Sequence, residues 1–271
     1  MSRIPEKFKL LKTAGRKALI PYITAGDPSP DVTVPLMHAL VGAGADILEL
    51  GVPFSDPMAD GPVIQRATER ALEHHVTMSD VLDMVRQFRE KDRATPIVLM
   101  GYLNPLEVMG YDEFARQAAD AGVDGAITVD IPPEEAGDLL KALRDHKISP
   151  IFLLAPTSSP ERIDLITQAA GGFVYYVSLK GVTGAATLDI DSVKQKVAEI
   201  REHTGLAIGV GFGIADAEMA AQMSQFSDAV IVGSALVRRM EEKKGNSQAL
   251  IESARELIGS MRLAMDANTT K

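Results

Sequence analysis

Asp46-Ile-Leu-Glu-Leu-Gly-Val-Pro-Phe-Ser-Asp-Pro-Met-Ala-Asp-Gly-Pro62 is a whole strand-to-helix unit. Ile47, Leu48 and Leu50 form a short apolar run bounded by Gly51 and Pro53, the pattern of a fully buried strand. Glu49 lies inside that run. An ionised carboxylate there costs roughly several kcal/mol unless a partner neutralises it or its pKa rises. The loop that follows carries Asp56 and Asp60 among Pro53, Pro57, Gly61 and Pro62, so its backbone is stiff and its acids are held in place. Pro62 then opens a helix. Two readings stand side by side for each acid. Glu49 is either a core acid satisfied by an Arg or by backbone amides, or a working acid. Asp60 either helps cap the helix or is the other half of an acid–base pair.

Outward from this unit the same alternation repeats. Strands are expected at 18–24, 47–50, 96–100, 126–129, 151–154, 173–177, 206–210 and 229–232. Helices are expected at 31–43, 62–73, 114–121, 134–144, 216–226 and 248–265, with others opened by Thr77-Met-Ser-Asp80 and Ser159-Pro160 and marked by Val193, Val197 and Ile200. Val41-Gly-Ala-Gly-Ala-Asp46 and Ala121-Gly-Val-Asp124 both read as helix stop, tight turn and strand start. Eight such units without a linker predict a (β/α)8 barrel, a single domain over 1–271. The first helical turn, with Phe8, Leu10 and Leu11, is expected to cover one end of its core. A doubly wound open sheet is the runner-up, but no glycine fingerprint follows the first strand.

Composition narrows the function. A net charge of −9 argues against a general nucleic-acid binder. With no cysteine, disulfides, thiolate metal sites and a Cys nucleophile are excluded. No apolar run approaches the ~20 residues of a membrane span, and the basic start lacks a signal peptide's apolar centre.

A barrel of this kind carries its site at the C-terminal ends of the strands, which puts Glu49 and Asp60 together on the functional face. Gly181 and Gly184, Gly211 and Gly213, and Gly233-Ser234 follow strands six, seven and eight. Small residues there, and a helix begun by Ser234 over 235–240, predict a phosphate site. Tyr22, Met100, Tyr102, Ile127, Val129, Ile151, Leu153, Tyr175 and Phe212 fall near the same rim and suggest a flat apolar pocket. Lys180 raises a competing Schiff-base chemistry, but Gly181 and Thr183 beside it suggest a wet loop that keeps the amine charged. His38, His74, His75, His146 and His203 fall on helices or their ends, so no metal site is expected.

The block from Leu48 to Pro62 resembles the signature of the tryptophan synthase alpha subunit family. Pro21-Tyr-Ile-Thr-Ala-Gly-Asp-Pro28, Met100-Gly-Tyr-Leu-Asn-Pro105, Asp130-Ile-Pro132, Pro150-Ile-Phe-Leu-Leu-Ala-Pro156, Ser178-Leu-Lys-Gly-Val-Thr-Gly184, Gly211-Phe-Gly-Ile214 and Gly233-Ser234 match its other blocks. The resemblance implies cleavage of indole-3-glycerol phosphate to indole and glyceraldehyde 3-phosphate. It implies that Glu49 delivers a proton to indole C3 and can accept the one from the C3′ hydroxyl, while Asp60 holds the ring N–H. It places Tyr175 in the lining, Thr183 in a closing loop, and the phosphate on Gly184, Gly213, Gly233 and Ser234. It implies a cytoplasmic alpha-beta-beta-alpha complex with a beta subunit, docked through the loop at 53–60 and the turn at Asn104-Pro105. Pyridoxal phosphate belongs to that partner, and no cofactor is expected in this chain. Ala186 and Gln225-Phe-Ser-Asp228 depart from the family pattern. Two other classes remain: a sister phosphate-binding barrel lyase or isomerase of amino-acid biosynthesis, and a chain acting mainly as activator of the beta subunit.

Overall fold

Strands this short and this apolar bury both faces only when parallel neighbours flank them and helices cover them. The computed structural model describes residues 2–177, 189–211 and 213–267. Its strands are β1 (Ala18–Thr24), β2 (Leu48–Gly51), β3 (Ile97–Gly101), β4 (Gly125–Thr128), β5 (Ser149–Ile151), β6 (Leu153–Leu154), β7 (Phe173–Val177), β8 (Ala207–Gly211) and β9 (Ala229–Val232). All their pairings are parallel, in the order β5-β4-β3-β2-β1-β9-β8-β7-β6. Phe152 alone separates β5, which pairs with β4, from β6, which pairs with β7. The two are halves of one strand, so the predicted (β/α)8 ring closes.

The helices are α1 (Ile4–Thr13), α2 (Pro30–Gly42), α3 (Pro62–Glu73), α4 (Met78–Arg89), α5 (Leu103–Met109), α6 (Tyr111–Ala121), α7 (Gly137–Asp145), α8 (Pro160–Ala169), α9 (Ile190–His203), α10 (Ala217–Ser224), α11 (Ser234–Glu242) and α12 (Ser247–Ala267). The capping box forms as read: Thr77 accepts from the Asp80 amide while the Asp80 carboxylate accepts from the Thr77 amide. Several helices differ from expectation: α6 starts at Tyr111 instead of 114, α7 starts at Gly137 instead of 134, and two further segments change. The segment around Pro105 was read as a turn but opens α5, because a proline in a helix's first turn removes an amide that has no intrahelical acceptor. α11 runs to Glu242, past the expected Met240.

Inside the ring Ile20, Ile47, Val98, Ile127, Ile151, Phe173 and Ile231 share one buried cluster with Ile4 and Leu11 of α1. A Cβ on Gly125 would lie 2.9 Å from Ile4 Cδ1, so the helix plugs the floor closely. Ile4, Phe8 and Leu11 follow helical spacing and face inward. Leu10, expected to share that face, is 60% exposed instead.

Candidate active site

Register sets the site. Tyr22 of β1 pairs with Glu49 of β2, which pairs with Val98 of β3. Paired residues of parallel strands share a face, so Glu49 points into the ring with Tyr22 and Val98. Its side chain is 1% exposed, and Oε2 has no hydrogen-bond partner. Neither an Arg nor a backbone amide neutralises that oxygen, as the core-acid reading required. Burial first, and then the charge of Asp60, push the Glu49 carboxyl up to about 8. Its surroundings therefore favour the protonated form.

Asp60 lies on the loop between β2 and α3, and it does not cap the helix. Gly61 occupies the cap position without a side-chain hydrogen bond. The Tyr102 hydroxyl instead donates to Asp60 Oδ2 at 3.2 Å and accepts from the Ala59 amide at 2.9 Å. Gln65 Nε2 donates to the Asp60 carbonyl at 2.9 Å, which pins the loop from below. Burial raises the Asp60 pKa, and the Tyr102 hydroxyl pulls it back towards the ionised form. Tyr102 was expected only as pocket wall, and its hydroxyl gives it a second part. Its own pKa is pushed up to about 12, chiefly by burial.

Tyr22, Phe54, Asp60, Met100, Tyr102 and Val129 line a narrow cleft beside the rim. Phe54 and Tyr102 pack with ring centroids 5.2 Å apart. Met100 pairs with Ile127, and Ile127 with Ile151, so these three continue the apolar wall along β3, β4 and β5. Leu153 of β6 pairs with Tyr175 of β7, whose hydroxyl lies 2.3 Å from where a Cβ on Gly211 would sit. Gly51 makes the same room for the Tyr22 hydroxyl, which shares a hydrogen bond of 3.2 Å with Thr24. Any side chain at either glycine would displace a tyrosine.

Of the expected phosphate residues, Gly233 and Ser234 follow β9, the neighbour of β1, and Gly213 follows β8, the next strand. Gly211 of β8 pairs with Ile231 of β9, so Gly213 and Gly233 leave adjacent strands at the same level. Gly213 has φ +75°, a left-handed conformation that favours glycine. Gly233 is the N-cap of α11 and packs 3.8 Å from Tyr22 by its built Cβ. Ser234, exposed, is the first helical residue. The order β8-β9-β1-β2 thus runs from these amides through Tyr22 to Glu49. Lys180, Thr183, Gly184, Ala186 and Phe212 lie outside the described residues.

Sequence reasoning missed Thr24 and Gln65, and it missed four charged residues beside the rim, Asp27, Arg66, Arg70 and Glu241. No local pattern marks them, because Arg70 meets Asp27 from 43 residues away and Glu241 from 171. His38 lies in α2, His203 ends α9, and His74 and His146 are the C-caps of α3 and α7. Among the described residues no group of three or more His, Cys, Asp or Glu could hold a metal ion.

Known proteins share this architecture. The family model described as tryptophan synthase alpha chain matches residues 8–266. A tryptophan synthase alpha chain from Thioalkalivibrio sulfidiphilus is 65% identical over 266 residues, 98% of this chain and 100% of that one. One from Nitrosococcus oceani is 61% identical over 98% of both chains. The crystal structure of tryptophan synthase subunit alpha from Legionella pneumophila superposes with a TM-score of 0.92 at 49% identity, covering 98% of this chain and 99% of that one. The chain belongs to the tryptophan synthase alpha chain family.

Proposed function

We propose that Glu49 and Asp60 carry the proton transfers of this family's reaction, the retro-aldol cleavage of indole-3-glycerol phosphate to indole and glyceraldehyde 3-phosphate. The observation that carries the assignment is a fully buried carboxyl with a partnerless oxygen, its pKa raised by burial, beside a second carboxylate on the next loop. Glu49 gives its proton to indole C3, and the positive charge that develops on the ring nitrogen is balanced by ionised Asp60, which accepts the ring N–H. The Glu49 carboxylate so formed takes the proton of the C3′ hydroxyl. The C3–C3′ bond then breaks, its electron pair returns to the ring, and the aldehyde forms. Glu49 ends as it began, protonated, so the proton count balances. Differently tuned environments for two carboxyls are what such a division of labour needs.

Tyr22, Met100, Tyr102, Ile127 and Tyr175 form the walls for the indole ring, with Thr183 and Phe212 completing them. The phosphate sits on the amides of Gly184, Gly213, Gly233 and Ser234, where the first-turn N–H groups of α11 have no intrahelical acceptor. The chain requires no cofactor of its own, since pyridoxal phosphate belongs to the beta subunit. That subunit docks on the loop at 53–60 and on α5, where Met58 and Val108 are 85% and 83% exposed. Residues 1–271 act as one domain, which the pairing of β1 with β9 near the far end of the chain supports. The reaction belongs to cytoplasmic amino-acid biosynthesis. Among the described residues no helix is long and apolar enough to cross a membrane.

The test is indole release from indole-3-glycerol phosphate by the purified chain, repeated with Glu49→Gln and Asp60→Asn. Both variants should retain substrate binding and lose turnover by about 10² to 10⁴. Substantial turnover in Glu49→Gln contradicts the assignment.

A further inference from the structure

The acid end and the phosphate end of the site stand on different helices, and a ladder of ion pairs joins those helices. Arg70 of α3 grips Asp27 with two bonds, Nε to Oδ1 at 2.6 Å and Nη2 to Oδ2 at 3.0 Å. Its remaining nitrogen, Nη1, donates to Glu241 Oε1 at 2.9 Å. Arg66, one turn earlier, forks onto the same carboxylate, Nε to Oε1 at 2.8 Å and Nη2 to Oε2 at 2.8 Å. Paired forks of this kind fix direction as well as distance. Asp27, on the exit loop of β1, is 1% exposed, and the Arg70 side chain is 12% exposed. Under the ladder, Val63, Ile64 and Ala67 of α3, Val237 of α11 and Tyr22 form a separate apolar cluster.

The placement is what matters. Asp60 immediately precedes the N-cap of α3, and Gly233 is the N-cap of α11. Glu241 lies in the last turn of α11, at the far end of a rod about 13 Å long at ~1.5 Å per residue. The clamp on Glu241 thus ties α11, and with it the Gly233 cap, to α3 alongside the Val237 contact.

We infer that Glu241, clamped by Arg66 and Arg70, is a positioning residue that sets where the phosphate-holding amides stand relative to Asp60. The inference rests on the phosphate reading of Gly233 and Ser234. It assigns Glu241 no contact with substrate.

Calorimetric binding of glycerol 3-phosphate (the tail without the ring) and of indole (the ring without the tail) to the purified full chain tests it. Glu241→Gln should weaken glycerol 3-phosphate by about ten-fold and leave indole within about two-fold. KM for indole-3-glycerol phosphate should rise in step, and Glu241→Asp should recover part of the loss. Arg66→Met, at a site where the side chain is 47% exposed, gives the same selective loss without threatening the fold. Unchanged glycerol 3-phosphate affinity in Glu241→Gln and Arg66→Met, or equal loss of both ligands, overturns the inference. Ser234→Asp separates the two layers of argument. If it leaves glycerol 3-phosphate bound, the phosphate reading falls and the inference falls with it. If it abolishes binding while Glu241→Gln does nothing, only the role of the ladder is wrong.

Discussion

The acids at the floor of this barrel and Glu49 at its rim are treated in opposite ways, while Asp27, also at the rim, is paired with Arg70. At the floor, Asp124 is 1% exposed and accepts four hydrogen bonds: from the Arg3 amide and Nη1 at 2.8 and 2.9 Å, and from Arg89 Nη2 and the Ile97 amide, both at 2.9 Å. Asp46 accepts from the Leu19 amide at 3.0 Å and from Arg262 at 3.2 Å, and Asp228 from the Ile208 amide at 3.0 Å and Arg201 at 2.8 Å. Each of these acids precedes one strand and caps the first amides of its neighbour. At the rim, Glu49 is equally buried and has an oxygen with no partner. The difference teaches where this fold spends stability. A satisfied acid holds strands in register, and an unsatisfied one keeps a proton ready to give.

Exchanging the two situations gives the largest effects. Glu49→Gln should lower indole formation by about 10² to 10⁴ and should not destabilise the chain. The pH dependence has a definite sign. The folded pKa of about 8 lies above the unfolded value of 4.5, so the folded state holds the proton longer as pH rises. Wild-type stability attributable to Glu49 is complete below 4.5 and falls, by up to about 1.4 kcal/mol per pH unit, until about 8. The glutamine variant lacks that decline. Urea unfolding of both proteins across this range should show the variant's advantage growing with pH, and parallel curves would mean that Glu49 is not held protonated.

Asp124→Ala should do the reverse. Removing one partner from a buried pair leaves Arg89 uncompensated and should cost about 3 to 5 kcal/mol in urea unfolding. Turnover per folded molecule should stay at the wild-type level. A loss of turnover larger than the loss of folded protein would erase the division between floor and rim.

What was legible in the chain follows the same division. Glu49 could be found because a carboxylate within Ile47-Leu-Glu-Leu50 contradicts its own surroundings, and a contradiction is local. Asp46 and Asp124 stood in view as the last residues of two similar turns. Their work stayed hidden, because Arg262 lies 216 residues from Asp46 and Arg3 lies 121 from Asp124. Tyr102 was placed at the rim for its ring, while its bond to Asp60 depends on how the loop after β2 folds over β3. The ring itself was readable, since strand length, apolarity and alternation are all local. The α5 helix was not, because Pro105 signals a turn until its position in the first turn is known.

A smaller change sharpens the contrast within the rim. Asp60 is one of the two causes that hold the Glu49 pKa high. In Asp60→Asn the residual activity should therefore lose its proton at lower pH, and the basic limb of its pH profile should move down. An unmoved limb would show that the two carboxyls do not sense each other.

Tyr102→Phe is the most delicate of these changes. The phenylalanine keeps the ring against Phe54, 5.2 Å away, and deletes only the hydroxyl. That hydroxyl donates to Asp60 and accepts from Ala59, so its loss removes a donor to the carboxylate and frees the Ala59 amide. A hydrogen bond given to an ionised carboxylate lowers its pKa, and without it burial acts unopposed and the Asp60 pKa rises. Asp60 must be ionised to balance the ring nitrogen, so the acidic limb of kcat/KM should move to higher pH while the basic limb, set by Glu49, stays in place. At the optimum the cost should be about ten-fold, the worth of one hydrogen bond to a charged group. Movement of both limbs together would place Tyr102 beside Glu49 as well, and the rim would then be a single coupled set of acids rather than two tuned apart.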